Sequence, residues 1–204
     1  CGNVDMTRIT PDLIALCEAG RQFDPTFEKK RMKMITARED KIGPQLEHLY
    51  RGLEQLLPVL QETRVCLALE NLPTWESIPT ELEMETLLRH FDSPSIRYWH
   101  DVGHARTREN LGFGNQQRWL ERLRPYCAGM HIHDVAFPAR DHIMPPRGNI
   151  DFRLLKPLAV PNMLKVLEPC PGLPQEDLLA GLEFLRRTWA NTEESQTARE
   201  GHAT

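Results

Sequence analysis

Four short apolar runs, Arg64–Asn71, Ser95–Trp99, Cys127–His133 and Met163–Leu167, recur roughly 30 residues apart with helical patterns between them. This alternation constrains the fold more than any other feature of the chain. Strands that follow one another through helices must pair in parallel, with right-handed crossovers that place the helices on the faces of the sheet. The class is therefore α/β. Alternation alone leaves an open doubly wound sheet and a closed barrel equally available.

Weaker signals fill the intervals. Residues 1–6 read as the end of a further strand. Thr10-Pro11-Asp12 opens a helix to about Ala19, with Gly20 as its stop. From Asp24-Pro25 to about Glu62 the pattern is helical, interrupted near Gly43-Pro44. Within it Leu46, Leu49, Leu53, Leu56, Leu57 and Leu60 recur at steps of three and four, the spacing of a buried helical stripe. Thr80 caps a predicted helix over 81–90, and another spans 115–123. A long Pro-rich loop is predicted over 134–149, then a helix or turn near Phe152–Leu158 and a last helix from Pro174 to Trp189. Residues 1–190 form one domain in this reading. The polar segment 191–204 is predicted to be a disordered tail.

Composition excludes several classes of function. No apolar run approaches the roughly 18 residues of a membrane span. A net charge of −4 argues against a general nucleic-acid binder, which needs clustered Lys and Arg. The one basic cluster, Glu28–Lys33, reads as a solvated helix face. Five cysteines, an odd number without a C-x-x-C pair, suggest neither a disulfide framework nor a zinc–cysteine site, and fit a reducing cytoplasm. The long helical stretch over 26–62 is a candidate surface for homo-oligomerisation.

Each predicted strand ends in a side chain able to bind a metal. The first ends in Glu70, the second in Asp101 with His104 three residues on, the third in His131 and His133, and the fourth in Glu168. Taken singly, each has an ordinary explanation: a helix cap, an Asp–Gly turn, or a hydrogen-bonded core histidine. Together they point further, because the C-terminal strand ends of a parallel β/α sheet converge on one face. Charged groups gathered there are costly unless paired or metal-bound. The mixed carboxylate and imidazole set suits a divalent ion such as Mn²⁺, Zn²⁺, Fe²⁺, Co²⁺ or Mg²⁺.

The segments LALEN (67–71), YWHDVGHA (98–105), GMHIHD (129–134), DHIMPPRGNIDF (141–152) and VLEP (166–169) resemble, in that order, the C-terminal half of xylose-isomerase-like TIM barrels. That superfamily includes sugar isomerases and epimerases and the apurinic endonucleases. The resemblance covers about residues 45–190 and implies a (β/α)₈ barrel of which this chain supplies about strands 4–8. It places the start of the chain just after a ligand-binding histidine, so that an unpaired sheet edge is expected. It implies Glu70, Asp101, His131 and Glu168 as metal ligands, with Glu70, Glu168 and His104 in catalytic roles. His133, His142 and Arg147 are the implied substrate contacts. Arg140 stands where the multi-metal endonucleases carry Asp, and Pro146-Arg147-Gly148 replaces the common Gly-Glu-Gly.

The resulting expectation is a metal-dependent isomerase or epimerase that moves a proton on a hydroxy-carbonyl sugar or sugar phosphate. The alternatives are a phosphodiester hydrolase of the apurinic endonuclease type, which the acidic composition and Arg140 disfavour, and an inactive partial barrel.

Overall fold

The computed structural model describes residues 2–190. In chain order its elements are β1 (Gly2–Asn3), α1 (Thr10–Glu18), α2 (Pro25–Glu39), α3 (Ile42–Thr63), β2 (Leu67–Glu70), β3 (Ser77–Ile78), α4 (Glu81–Phe91), β4 (Ile96–Asp101), α5 (Val102–Asn110) and α6 (Gln116–Leu123). They continue with β5 (Cys127–Ile132), β6 (Asp134–Ala136), β7 (Arg140–Ile143), a 3₁₀ segment (Phe152–Leu158), β8 (Leu164–Leu167) and α7 (Gln175–Trp189). The tail predicted over 191–204 lies outside the described residues.

The four apolar runs form one parallel sheet in the order β2-β4-β5-β8. Register places Asp101 beside His131, and His131 beside Val166. Strand alternation then divides the side chains between two faces. Ile96, Tyr98 and His100 of β4, with Met130 and Ile132 of β5, are buried toward the helices, against Leu87 and Leu88 of α4 and Trp119 and Leu123 of α6. Trp99, Asp101 and His131 occupy the other face. A smaller core joins Leu13 and Cys17 of α1 to Phe27 and Met34 of α2 and to Leu111 and Phe113.

Three expectations need correction. The N-terminal strand does not join the sheet, because Gly2 and Asn3 pair antiparallel with Ile78 and Ser77. The segment over 134–149 contains a hairpin of β6 and β7, turned at Phe137-Pro138. The first run is not buried on both faces: in β2 only Leu69 is buried, since among the described residues β4 is its sole sheet neighbour. At the opposite edge Leu164 of β8 is 61% exposed. The leucine stripe of α3 also packs less completely than its spacing suggests. Leu53 is buried and Leu49, Leu57 and Leu60 lean on the core, but Leu56 faces solvent.

Two arginines fix the loop that leaves β2. Arg38 of α2 donates to the carbonyls of Trp75 (2.8 Å) and Ser77 (3.0 Å) and pairs with Glu83. Arg108 of α5 is fully buried, donates to the Thr74 carbonyl at 2.8 Å, and lies over the rings of Trp75 and Trp119. Each guanidinium thus reaches across to backbone oxygens of the loop and holds it against the helices. No helix among the described residues is long and apolar enough to cross a membrane.

Candidate metal centre

The strand ends converge as their order in the sheet requires. His131 Nδ1 lies 2.8 Å from Glu70, 3.5 Å from Glu168 and 3.7 Å from Asp101, so four residues from four strands meet around one nitrogen. The carboxylates, Asp101 foremost and then Glu70 and Glu168, push the His131 pKa up to about 9 despite partial burial. Asp101 is fully buried. Burial alone would raise its pKa, but the imidazoles of His131 and His133, with His104, hold it far below the usual carboxylate range.

Asp101 is placed by its neighbours. Its Oδ1 caps α5 by accepting the His104 N–H at 2.7 Å, and it takes a second hydrogen bond from His133 Nε2 at 3.1 Å. Asn71, which sequence reasoning did not single out, grips the strand end from the other side. Its carbonyl oxygen accepts from Asp101 N–H at 2.8 Å and from Tyr98 Oη at 2.9 Å, while its amide donates to the Asp101 carbonyl at 2.9 Å. Tyr98 Oη also meets His100 Nδ1 at 2.7 Å. Burial drives the His100 pKa down to about 4, so it is a neutral interior partner.

The histidine tautomers follow from backbone partners. His104 Nδ1 lies 2.9 Å from the Asn71 carbonyl and His142 Nδ1 lies 3.0 Å from the Glu168 carbonyl. A carbonyl only accepts, so both rings carry a proton on Nδ1, and the neutral form of each keeps its lone pair on Nε2. His133 is the reverse. Its Nδ1 accepts the His142 N–H at 3.0 Å, which leaves Nε2–H to donate to Asp101.

Donor atoms of Glu70, Asp101 and His131 lie within 4.8 Å of one another, as do those of Asp101, His104 and His133 and those of His133, His142 and Glu168. Seven of the eight residues predicted for the site from sequence are therefore brought together, with Arg147 the exception. Two of the implied substrate contacts are placed differently. The His133 side chain has no exposure, and both its nitrogens are engaged by Asp101 and the His142 N–H. Arg147 is turned away from the cluster: its guanidinium pairs with Asp177 of α7, with Nη1 at 2.9 Å from Oδ2. A bulkier residue could not replace Gly103, since a β-carbon there would lie 2.7 Å from His133 Nε2 and nearer still to Cε1.

His142 has a φ of +53°, left-handed backbone that is uncommon for a residue with a side chain. The hydrogen bonds from its N–H and Nδ1 hold it there.

Asp134, the last residue of GMHIHD, was also missed. It is fully buried and accepts backbone N–H groups from Val135 (2.8 Å), Gly148 (2.8 Å) and Ile150 (3.1 Å), which binds the 144–150 loop to the end of β5. Its only sequence signal was an acidic residue beside a histidine pair. Asp134→Ala is expected to lower stability by about 2–4 kcal/mol, because three buried donors lose their acceptor. Urea unfolding measures this, and a loss below about 1 kcal/mol would show that the loop does not depend on the anchor.

A family model described as xylose isomerase-like TIM barrel matches residues 27–188 of the chain. No curated protein sequence matches it significantly. Among solved structures it is similar to a D-tagatose 3-epimerase-like protein, with a TM-score of 0.57 and 20% identity over 70% of this chain and 54% of that one. It is similar to D-psicose 3-epimerase from Clostridium cellulolyticum H10, with a TM-score of 0.58 and 18% identity over 72% and 57%. For the 3-keto-D-glucoside 4-epimerase from E. coli the values are 0.55 and 21%, over 70% and 53%. At these identities the likeness is one of fold, and the four-stranded sheet is a portion of the TIM-barrel architecture. The chain spans little more than half the length of each of these structures.

Proposed function

Because the chain belongs to the xylose isomerase-like TIM barrel family, we propose that it is a sugar or sugar-phosphate isomerase or epimerase that works with one divalent metal ion. The supporting observation is the meeting of Glu70, Asp101 and Glu168 around His131 Nδ1 at 2.8–3.7 Å. Carboxylates gathered this closely call for a cation, a place that the proton raised onto His131 fills in the metal-free chain and that a divalent ion would take on binding. Their oxygen donors and one imidazole match a Mn²⁺-, Zn²⁺-, Fe²⁺-, Co²⁺- or Mg²⁺-type ion better than a thiolate-seeking one. Glu70, Asp101, His131 and Glu168 would hold that ion, which when bound supplies Lewis-acid polarisation of a hydroxy-carbonyl substrate.

The remaining work falls to side chains. Glu70 and Glu168 come from the outer strands of the sheet, and serve as the pair that removes a proton from the carbon beside the carbonyl and returns it to the neighbouring position. His104 and His142 offer Nε2 lone pairs that accept hydrogen bonds from substrate hydroxyls. His133 acts one step back: it donates to Asp101 and fixes the carboxylate that faces His131.

The test is solvent deuterium exchange into a panel of ketoses and ketose phosphates with added Mn²⁺. Exchange is expected at the carbon beside the carbonyl, and Glu70→Gln and Glu168→Gln should each slow it about 10²–10⁴-fold. A protein that holds one ion per chain yet exchanges no proton in any sugar would refute the reading.

One observation favours a second reading. The further donor sets Asp101–His104–His133 and His133–His142–Glu168 provide places for additional ions, as a phosphodiester hydrolase of the apurinic endonuclease type requires. The engagement of both His133 nitrogens and the presence of Arg140 weigh against it. Metal content separates the two: about one ion per chain for the isomerase, two or three for the hydrolase.

A further inference from the structure

The basic cluster of α2 is a solvated face, as expected, and part of it borders a concave space. Glu28 and Arg31 pair with each other, and Arg31 turns away to donate to the Gly112 carbonyl at 3.0 Å. Lys29, Lys30 and Lys33 instead line a cavity of about 460 Å³, where Arg8 and Lys41 join them. Five cations thus surround a concave space with one carboxylate, Asp12, in a chain whose net charge is −4. Asp12 is taken by Lys30 at 2.6 Å, and Lys41 donates to the Asp5 carbonyl at 2.9 Å. Arg8, Lys29 and Lys33 have no carboxylate partner among the described residues.

Such a lining raises the local positive potential and favours an anion. Lys29 and Lys33 stand four apart on one helix, the spacing at which like charges destabilise each other. The wall opposite them is fixed. The N–H groups of Ile9 and Thr10 donate to the Glu76 carboxylate at 2.6 and 2.9 Å, which ties the 6–9 segment to the loop leaving Glu70. The hydroxyl-bearing Thr7 and Thr26 also border the space. Cations without partners, hydroxyl donors and a rigid wall together match a compact, multiply charged oxyanion.

We propose that this cavity binds the phosphoryl group of a small ligand, either inorganic phosphate or a phosphate ester. The proposal stands apart from the isomerase reading, since none of the lining residues belongs to the metal-capable cluster.

Calorimetric titration of the full chain at low salt tests it, with EDTA present so that no ion in the metal centre contributes a phosphate contact. The probes are inorganic phosphate, ribose 5-phosphate, ribose and a short single-stranded oligonucleotide. Phosphate and ribose 5-phosphate should bind and ribose should not. Lys29→Ala/Lys33→Ala, which changes two exposed side chains, should weaken binding about tenfold or more. Arg51→Ala/Arg89→Ala removes the same charge from exposed sites on α3 and α4, and should leave the affinity within about twofold. Tighter binding of ribose 5-phosphate assigns the site to an ester, and equal binding assigns it to free phosphate. Absence of binding by either, equal weakening in both double variants, or preferential capture of the oligonucleotide would each overturn the proposal.

Discussion

Asp101→Ala is expected to abolish tight Mn²⁺ binding and to lower the stability of the metal-free chain by about 2–4 kcal/mol. Two physical losses add up to that figure. The Asp101 side chain caps α5 through the His104 N–H, and losing a cap costs about 1 kcal/mol. It is also the acceptor for His133 Nε2–H, and leaving that buried donor unpaired costs about 1–3 kcal/mol. Asp101→Asn keeps the shape and the cap but not the charge, so it should retain most of the stability while still losing the ion. Mn²⁺ titration alongside urea unfolding reads both effects. In the parent, ion at about 100 times its dissociation constant should add about 2.7 kcal/mol, and in either variant it should add none. If Asp101→Ala keeps one Mn²⁺ at the parent affinity, the ion sits elsewhere and the convergence of the strand ends has another cause.

The parts of this site that were legible in the sequence share one property: they follow from strand geometry. A run such as LALEN ends in a polar residue, and in a parallel sheet that end has a known destination. This is why Glu70, Asp101, His131 and Glu168 could be named together without a contact map. What could not be read depends on side-chain direction beyond the strand, where chain spacing carries no information. His133 stands two residues from His131 and meets the same Asp101, but the strand ends at Ile132 and the His133 ring lies buried behind that carboxylate, a depth the spacing does not reveal. Arg147 sits in a loop whose path is set by Asp134, and that path delivers it to Asp177.

The same distinction explains the errors in the fold. The hairpin of β6 and β7 was hidden because its strands are short, charged and broken by proline, all features of a loop. Gly2-Asn3 looked like a strand end and is one, but its partner Ile78 is fixed by the anchoring of the 71–80 loop through Arg38 and Arg108. Asn71 carried a signal that was present and unused. A buried amide directly after a strand-end carboxylate can bond both the N–H and the C=O of one residue in the neighbouring strand, and here it does so at Asp101.

Gly103→Ala carries the second large expected effect, and it acts without touching any charged group. A β-carbon on Gly103 would stand 2.7 Å from His133 Nε2 and nearer still to the ring carbon Cε1. The ring cannot yield toward its other face, where His142 stacks at a centroid distance of 4.2 Å. His133 would have to leave, and Asp101 would lose its donor while His142 N–H lost its acceptor. A stability loss of about 2–4 kcal/mol is expected, from overpacking and two unmade hydrogen bonds. Mn²⁺ affinity should fall with it. The double variant Gly103→Ala/His133→Ala separates this cause from a general intolerance of side chains at the start of α5. Truncating His133 frees the space that the introduced methyl group needs, so the double variant should be more stable than the sum of the single losses predicts, with a coupling of about 1 kcal/mol or more. Urea unfolding of the four proteins gives that coupling directly. Strict additivity would mean that the glycine is required for the backbone of α5 itself, and that the His133 ring is not the part of the site it protects.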